Sequence, residues 1–274
     1  MSSFSRRAFL RAAAQVGGAA LLTGCVRPAS ASDRILRHAF QDFSGAADKP
    51  LAALPGDQPY PVPDASLDAQ IGQMLLVGFA GAYPGEDSPV IKALRSGKLG
   101  NVVLFGHNIV NREQLQALTA SLRAASAIPP LITLDQEGGY VSRLGPWAGI
   151  EPNYTEQYLG ELNDVAVTTA QATSTARALR DLGINLNLAP VVDLNLNPSN
   201  PVIGAVQRSY SSDPEIVSAH ALAAIDAHHA LGVGCTLKHF PGHGSSNADT
   251  HLGFVDVTDT WQTTELAPYI KLIA

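Results

Sequence analysis

The sequence predicts an α/β chain assembled from parallel β/α units. Three observations point there. Short apolar runs alternate with helical patterns from Ser66 onward. These runs are continuous, as in strands covered on both faces. Two helical stretches are each followed by a glycine, where a left-handed C′ residue belongs. Alternating strand and helix imply parallel crossovers. An open doubly wound sheet and a (β/α)8 barrel both satisfy that pattern.

The elements follow in order. Residues 74–79 (MLLVGF) read as the first strand, 102–105 (VVLF) as the second and 131–134 (LITL) as the third. Residues 185–192 (NLNLAPVV) form the fourth and 235–240 (CTLKHF) the fifth. Asn111 caps a helix over 112–127, with Gln114 placed for a capping-box variant. Helices over 165–182 and 214–231 end at Gly183 and Gly232. Thr260 or Thr263 starts a last helix. No G-x-G-x-x-G opens a helix after the first strand, which argues against a dinucleotide site.

Composition narrows the function. The 274 residues are 46% hydrophobic and 15% charged, which excludes a disordered chain. The net charge of −6, without a basic stripe, argues against nucleic acid as a partner. Arg6, Arg7, Arg11 and Arg27 all lie in the first 32 residues, which hold no acid, so the body is more acidic than the whole.

Residues 1–32 read as a targeting segment: a basic start, then an apolar run over 12–24 that is too short to span a bilayer. The paired arginines before Phe9-Leu10 resemble a twin-arginine export signal. Leu22-Thr23-Gly24-Cys25 resembles a bacterial lipoprotein box, so Cys25 is the expected lipidation site and membrane anchor. The alternative is simple cleavage at Ala29-Ser30-Ala31. An exported envelope or periplasmic location follows from either. Residues 33–65, rich in Pro, Ala, Asp and Gly, read as a tether, and 66–274 as the folded domain. Cys235 is then the one remaining thiol and reads as a packing residue.

The unusual polar residues fall just after strands: His107 and Asn108, Asp135 to Gly139, Asp193, and Lys238-His239 with the loop to His251. In a barrel these positions share the C-terminal rim, where active sites are built. Asp249 and His251 are two apart, so in an extended segment both side chains face one way. The carboxylate can then hold one imidazole nitrogen and leave the other to exchange a proton with substrate. Two other readings stand beside this one: a metal set of His239, His243, His251 and Asp249, or a loop whose His and Asp merely bond each other. His228-His229 reads as structural.

At these residues the chain resembles glycoside hydrolase family 3, in its β-N-acetylhexosaminidase branch. The matching pieces are 134–143 (LDQEGGYVSR), 188–193 (LAPVVD), 208–210 (RSY) and 238–244 (KHFPGHG) with Asp249-Thr250-His251. The resemblance implies a TIM-like barrel, no cofactor or metal, and retaining removal of a terminal β-linked N-acetylglucosamine from peptidoglycan- or chitin-derived sugars. It implies His251 as proton donor paired with Asp249. It implies Asp135, Arg143, Arg208, Lys238 and His239 as the groups that hold the sugar. Charged and bidentate partners suit hydroxyls whose hydrogen bonds strengthen in an oxocarbenium-like transition state.

Tyr140 and His107 depart from the family's usual arginines. The family nucleophile, an aspartate in a Ser/Thr-Asp-Asp-Leu-type stretch, has no match: after His251 only Asp256, Asp259 and Glu265 remain. Five strands are legible against the eight of a complete barrel. The chain therefore reads as the N-terminal portion of a longer enzyme, poorly soluble and without turnover alone. The alternatives are another family 3 β-glycosidase, such as a β-glucosidase, and a non-catalytic sugar-binding lipoprotein. Oligomeric state is left open.

Overall fold

The computed structural model describes residues 66–273. The expected signal segment at 1–32, with Cys25, and the expected tether at 33–65 lie outside the described residues. Among the described residues no helix is long and apolar enough to cross a membrane.

Five strands form one parallel sheet: β1 (Leu76–Gly78), β2 (Asn101–Val103), β3 (Leu131–Leu134), β4 (Leu186–Asn187) and β5 (Gly234–Cys235). Each pairs with the next in sequence, with Val77 opposite Val102, Val102 opposite Ile132, Leu134 opposite Asn187 and Asn187 opposite Cys235. A doubly wound sheet reverses its order at a switch point. Here there is no reversal, and the architecture is the TIM-like one.

Helices fill the connections: α1 (Leu67–Met74), α2 (Pro89–Arg95), α3 (Arg112–Ala125), α4 (Glu156–Leu162), α5 (Val165–Asp181), α6 (Pro214–His229) and α7 (Ala267–Ile273). Their starts are chemically marked. Asn111 accepts from the Gln114 N–H at 2.9 Å, Asp164 from Ala166 at 2.9 Å, and Asp213 from Glu215 at 2.8 Å. The Gln114 side chain accepts from Val110 N–H, one residue earlier than a capping box would place it. Gly183 and Gly232 take positive φ of 76° and 73° just past α5 and α6. Leu115, Leu118 and Leu122 bury one stripe of α3 against Val102, Ile132 and Leu134 of the sheet.

Four expectations need correction. The first strand, expected over 74–79, is confined to Leu76–Gly78, and Met74 closes α1. The fourth strand, expected over 185–192, keeps regular ladder pairing only at Leu186–Asn187. Pro190 has no N–H to give, so the ladder lapses and resumes as a parallel bridge between Val191 and Lys238. The fifth is shortened likewise to Gly234–Cys235. The last helix starts as a tight 3₁₀ turn at Thr263–Leu266 before α7.

Candidate active site

The resumed pairing builds the site. Val192 N–H donates to the Lys238 carbonyl at 2.8 Å, which sets Asp193 beside His239 at the end of the sheet. Asp193 is fully buried. Its oxygens accept the His239 ring Nδ1 at 2.6 Å, the His239 N–H at 3.2 Å and the His243 N–H at 2.8 Å. One carboxylate thus orients the His239 ring and ties down the start of the following loop.

Past β3 the chain doubles back. Gly138 and Gly139 have φ of 120° and 53°, and the Glu137 N–H donates to the Val141 carbonyl at 2.9 Å. Gln136 Oε1 accepts from Arg143 N–H at 3.0 Å and Leu144 N–H at 2.9 Å. That fold-back returns Arg143 to Asp135, at 3.4 Å.

Cations and carboxylates interlock at the centre. Arg208 grips Glu137 with two bonds of 2.6 and 2.8 Å. Lys238 Nζ joins Glu137 at 2.6 Å to Asp135 at 2.8 Å. The Glu137 side chain is only 1% exposed and Arg208 12%, so this is a desolvated bidentate pair, not a surface one. Burial works against the Arg208 charge, but its bonds to Glu137 outweigh that and hold it above the ordinary arginine value.

His251 stands at the mouth. Its Nδ1 is 2.6 Å from Asp249 Oδ1, which also accepts the His251 N–H at 2.8 Å. These bonds hold the Asp249 carboxyl below its usual range. The ring is 77% exposed. Its Nε2 has no partner among the described residues.

A cavity of about 320 Å³ joins these groups, lined by Asp135, Glu137, Val141, Arg143, Val202, Ile203, Arg208, Lys238, His239, His243, Thr250 and His251. Its size suits a small-molecule ligand. Every residue expected to hold the sugar lines it, together with His251; Asp249 reaches it through His251. Among the described residues no three side chains are placed to hold a metal ion.

Glu137 and Asp193 stand among the polar residues noted just after strands, but the sequence assigns them no role; the structure makes them the carboxylates that hold Arg208, Lys238 and His239. Glu156 carried no signal at all. Cys235 is half-buried, and burial pushes its thiol up to about 12. His228 is buried, bonding the Ala224 carbonyl at 2.8 Å and Asn187 at 3.1 Å, which suits a structural role.

Residues 66–274 match the family described as "Glycosyl hydrolase family 3 N terminal domain". Beta-hexosaminidase of Xylella fastidiosa (strain M12) is 38% identical over 211 residues, covering 73% of this chain and 60% of the relative. Beta-hexosaminidase A of Pseudoalteromonas piscicida is 36% identical over 191 residues, 64% of this chain and 31% of the relative. The crystal structure of beta-N-acetylhexosaminidase from Beutenbergia cavernae DSM 12333 superposes with a TM-score of 0.67 at 35% identity, covering 76% of this chain and 65% of that one. Native NagZ from Neisseria gonorrhoeae gives 0.64 at 30% identity, covering 72% and 58%. The chain therefore spans only part of the length of these curated relatives, 31% in one case and 60% in another. By its sheet order, its rim and these matches, the chain belongs to glycoside hydrolase family 3.

Proposed function

We propose that the protein is an exo-acting β-N-acetylhexosaminidase, releasing terminal β-linked N-acetylglucosamine from peptidoglycan- or chitin-derived sugars with retention. One observation carries the reading. Asp249 occupies Nδ1 of His251 and leaves Nε2 at the mouth of a polar cavity. A neutral imidazole held in this way can take a proton, and an imidazolium can give one to a departing glycosidic oxygen. Asp135, Arg143, Arg208, Lys238 and His239 hold the sugar, each presenting polar atoms to the same cavity. A retaining mechanism also needs a carboxylate on the opposite face of the ring. The names of the hexosaminidase relatives support the substrate class.

The experiment compares the complete protein with its His251→Ala variant on chromogenic N-acetyl-β-glucosaminide and β-glucoside. Turnover of the acetamido sugar alone, slowed about 10²–10⁴-fold by the variant with binding little changed, supports the reading. Equal loss of binding and turnover refutes the proton-donor role. Preference for the glucoside refutes the substrate class.

The leader supports export and lipid attachment at Cys25, with residues 33–65 as tether and 66–274 as the catalytic-domain segment. Mass spectrometry of the mature N-terminus decides between a lipidated Cys25 and a plain signal cleavage.

A further inference from the structure

Glu137 of the ion-pair cluster also lines a second, much smaller cavity of about 30 Å³. The Glu156 carboxyl lies against it. Glu156 opens α4 and is 3% exposed. Its Oε1 accepts the Val191 N–H at 3.1 Å, while its Oε2 is buried with no partner among the described residues. Val191 is the residue whose parallel bridge partner is Lys238. Glu156 thus grips the backbone at Val191, at the point where Lys238 is set in place.

We propose that Glu156 is a positioning residue that serves as a neutral carboxylic acid: it fixes the Val191–Lys238 junction without competing for the cations of the sugar site. The surroundings explain why. Glu137 lines the same small cavity, and two carboxylates there compete for one pair of cations. Arg208 and Lys238 both contact Glu137 directly, at 2.6–2.8 Å, and among the described residues no cation contacts Glu156. Of the other groups on this cavity, Tyr210 and His228 are buried, and α5 contributes only the neutral Thr168, Gln171 and Thr175. The first turn of α4 favours negative charge, but a single backbone donor does not replace the hydration of a buried carboxylate. Burial first, and Glu137 second, push this carboxyl well above the usual range. A charged Glu156 would draw Lys238 and Arg208 back from the sugar. A neutral one keeps the Val191 anchor and leaves Glu137 as the anion.

The proposal rests on the sugar-site reading only for its consequence, so the test has two arms. The first measures denaturant unfolding of the full chain and its Glu156→Gln variant from pH 4 to 8. A group whose folded-state proton affinity is raised stabilises fully below its unfolded value, about 4.3, and loses that stability as pH rises toward its folded value. The expected result is that Glu156→Gln gains on the parent with rising pH, by up to about tenfold in the unfolding constant per pH unit. A ratio that stays flat or falls with pH overturns the proposal. The second arm titrates N-acetylglucosamine. Glu156→Gln keeps affinity within about threefold, whereas Glu156→Ala loses about tenfold or more. Loss in both variants overturns the positioning role. A parent chain that binds no sugar counts against the hexosaminidase reading and leaves the pH arm to decide.

Discussion

Asp193 and His239 are 46 positions apart in the chain, and their side chains meet at 2.6 Å. Because the same carboxylate also takes two backbone N–H groups, it has no spare capacity and no equivalent substitute. Asn in its place would turn an amide N–H toward donors. Asp193→Asn is expected to destabilise the domain by about 2–4 kcal/mol and to free the His239 ring. Urea unfolding measures the first effect, and the His239 ring ¹⁵N shifts the second.

Arg208 meets Glu137 with two parallel bonds, which a lysine cannot reproduce. Arg208→Lys is expected to lose sugar affinity by about tenfold while remaining folded. Arg208→Ala strands a buried carboxylate and is expected to cost about 2–4 kcal/mol, moderated because Lys238 still reaches Glu137. Calorimetric titration and thermal melts separate the two outcomes.

His251 contrasts with both. Its ring is 77% exposed and among the described residues bonds only Asp249. His251→Ala is expected to change stability by less than about 0.5 kcal/mol. A larger loss in the melting curve would show that the ring supports the loop, contrary to a role reserved for substrate.

As His220 does by the same burial, His228 makes the fold sensitive to acid. Burial lowers this ring's proton affinity, so it stays neutral when folded while the unfolded chain takes up a proton. Its contribution is present above the unfolded value, about 6.5, and is lost as pH falls through the lowered folded value. As pH falls from 7.5 to 5.5, His228→Gln is expected to gain on the parent in unfolding free energy, opposite in sign to Glu156→Gln over the same window.

Gly244 has no room for a side chain: a Cβ would overlap the Leu194 carbonyl oxygen. The chain cannot yield there, because the neighbouring His243 N–H is held by Asp193 and the Gly244 carbonyl accepts from Asn197 at 3.1 Å. Gly244→Ala is expected to cost about 1–3 kcal/mol and to hasten proteolysis within residues 243–254.

Much of this was legible in the residues. Strand positions showed as apolar runs, and Asn111, Gly183 and Gly232 marked helix ends through chemistry confined to one turn. Asp249 and His251 do pair, but in a turn and not in the extended segment expected: Leu252 N–H donates to the Asp249 carbonyl at 3.1 Å and His251 N–H to its carboxylate at 2.8 Å. What was hidden depends on long-range register. Asp193 reaches His239 only because pairing resumes at Val191 and Lys238 after the interruption at Pro190. Glu156 opens a seven-residue helix too short for a periodic pattern, and its burial and its bond to Val191 arise only in the folded chain. The short helices α1 and α2 escaped for the same reason.

The partnering of charge within the large cavity has its own consequence. Arg143, Arg208 and Lys238 each already touch a carboxylate. On the proposed reading a neutral sugar brings no ionic attraction there: apart from the donors left over on Arg143, whose one carboxylate contact is 3.4 Å long, its hydroxyls must slip between existing partners. Recognition then depends on where the hydroxyls point, and an epimer with one oxygen misdirected leaves an ion pair pried apart with nothing seated in the gap.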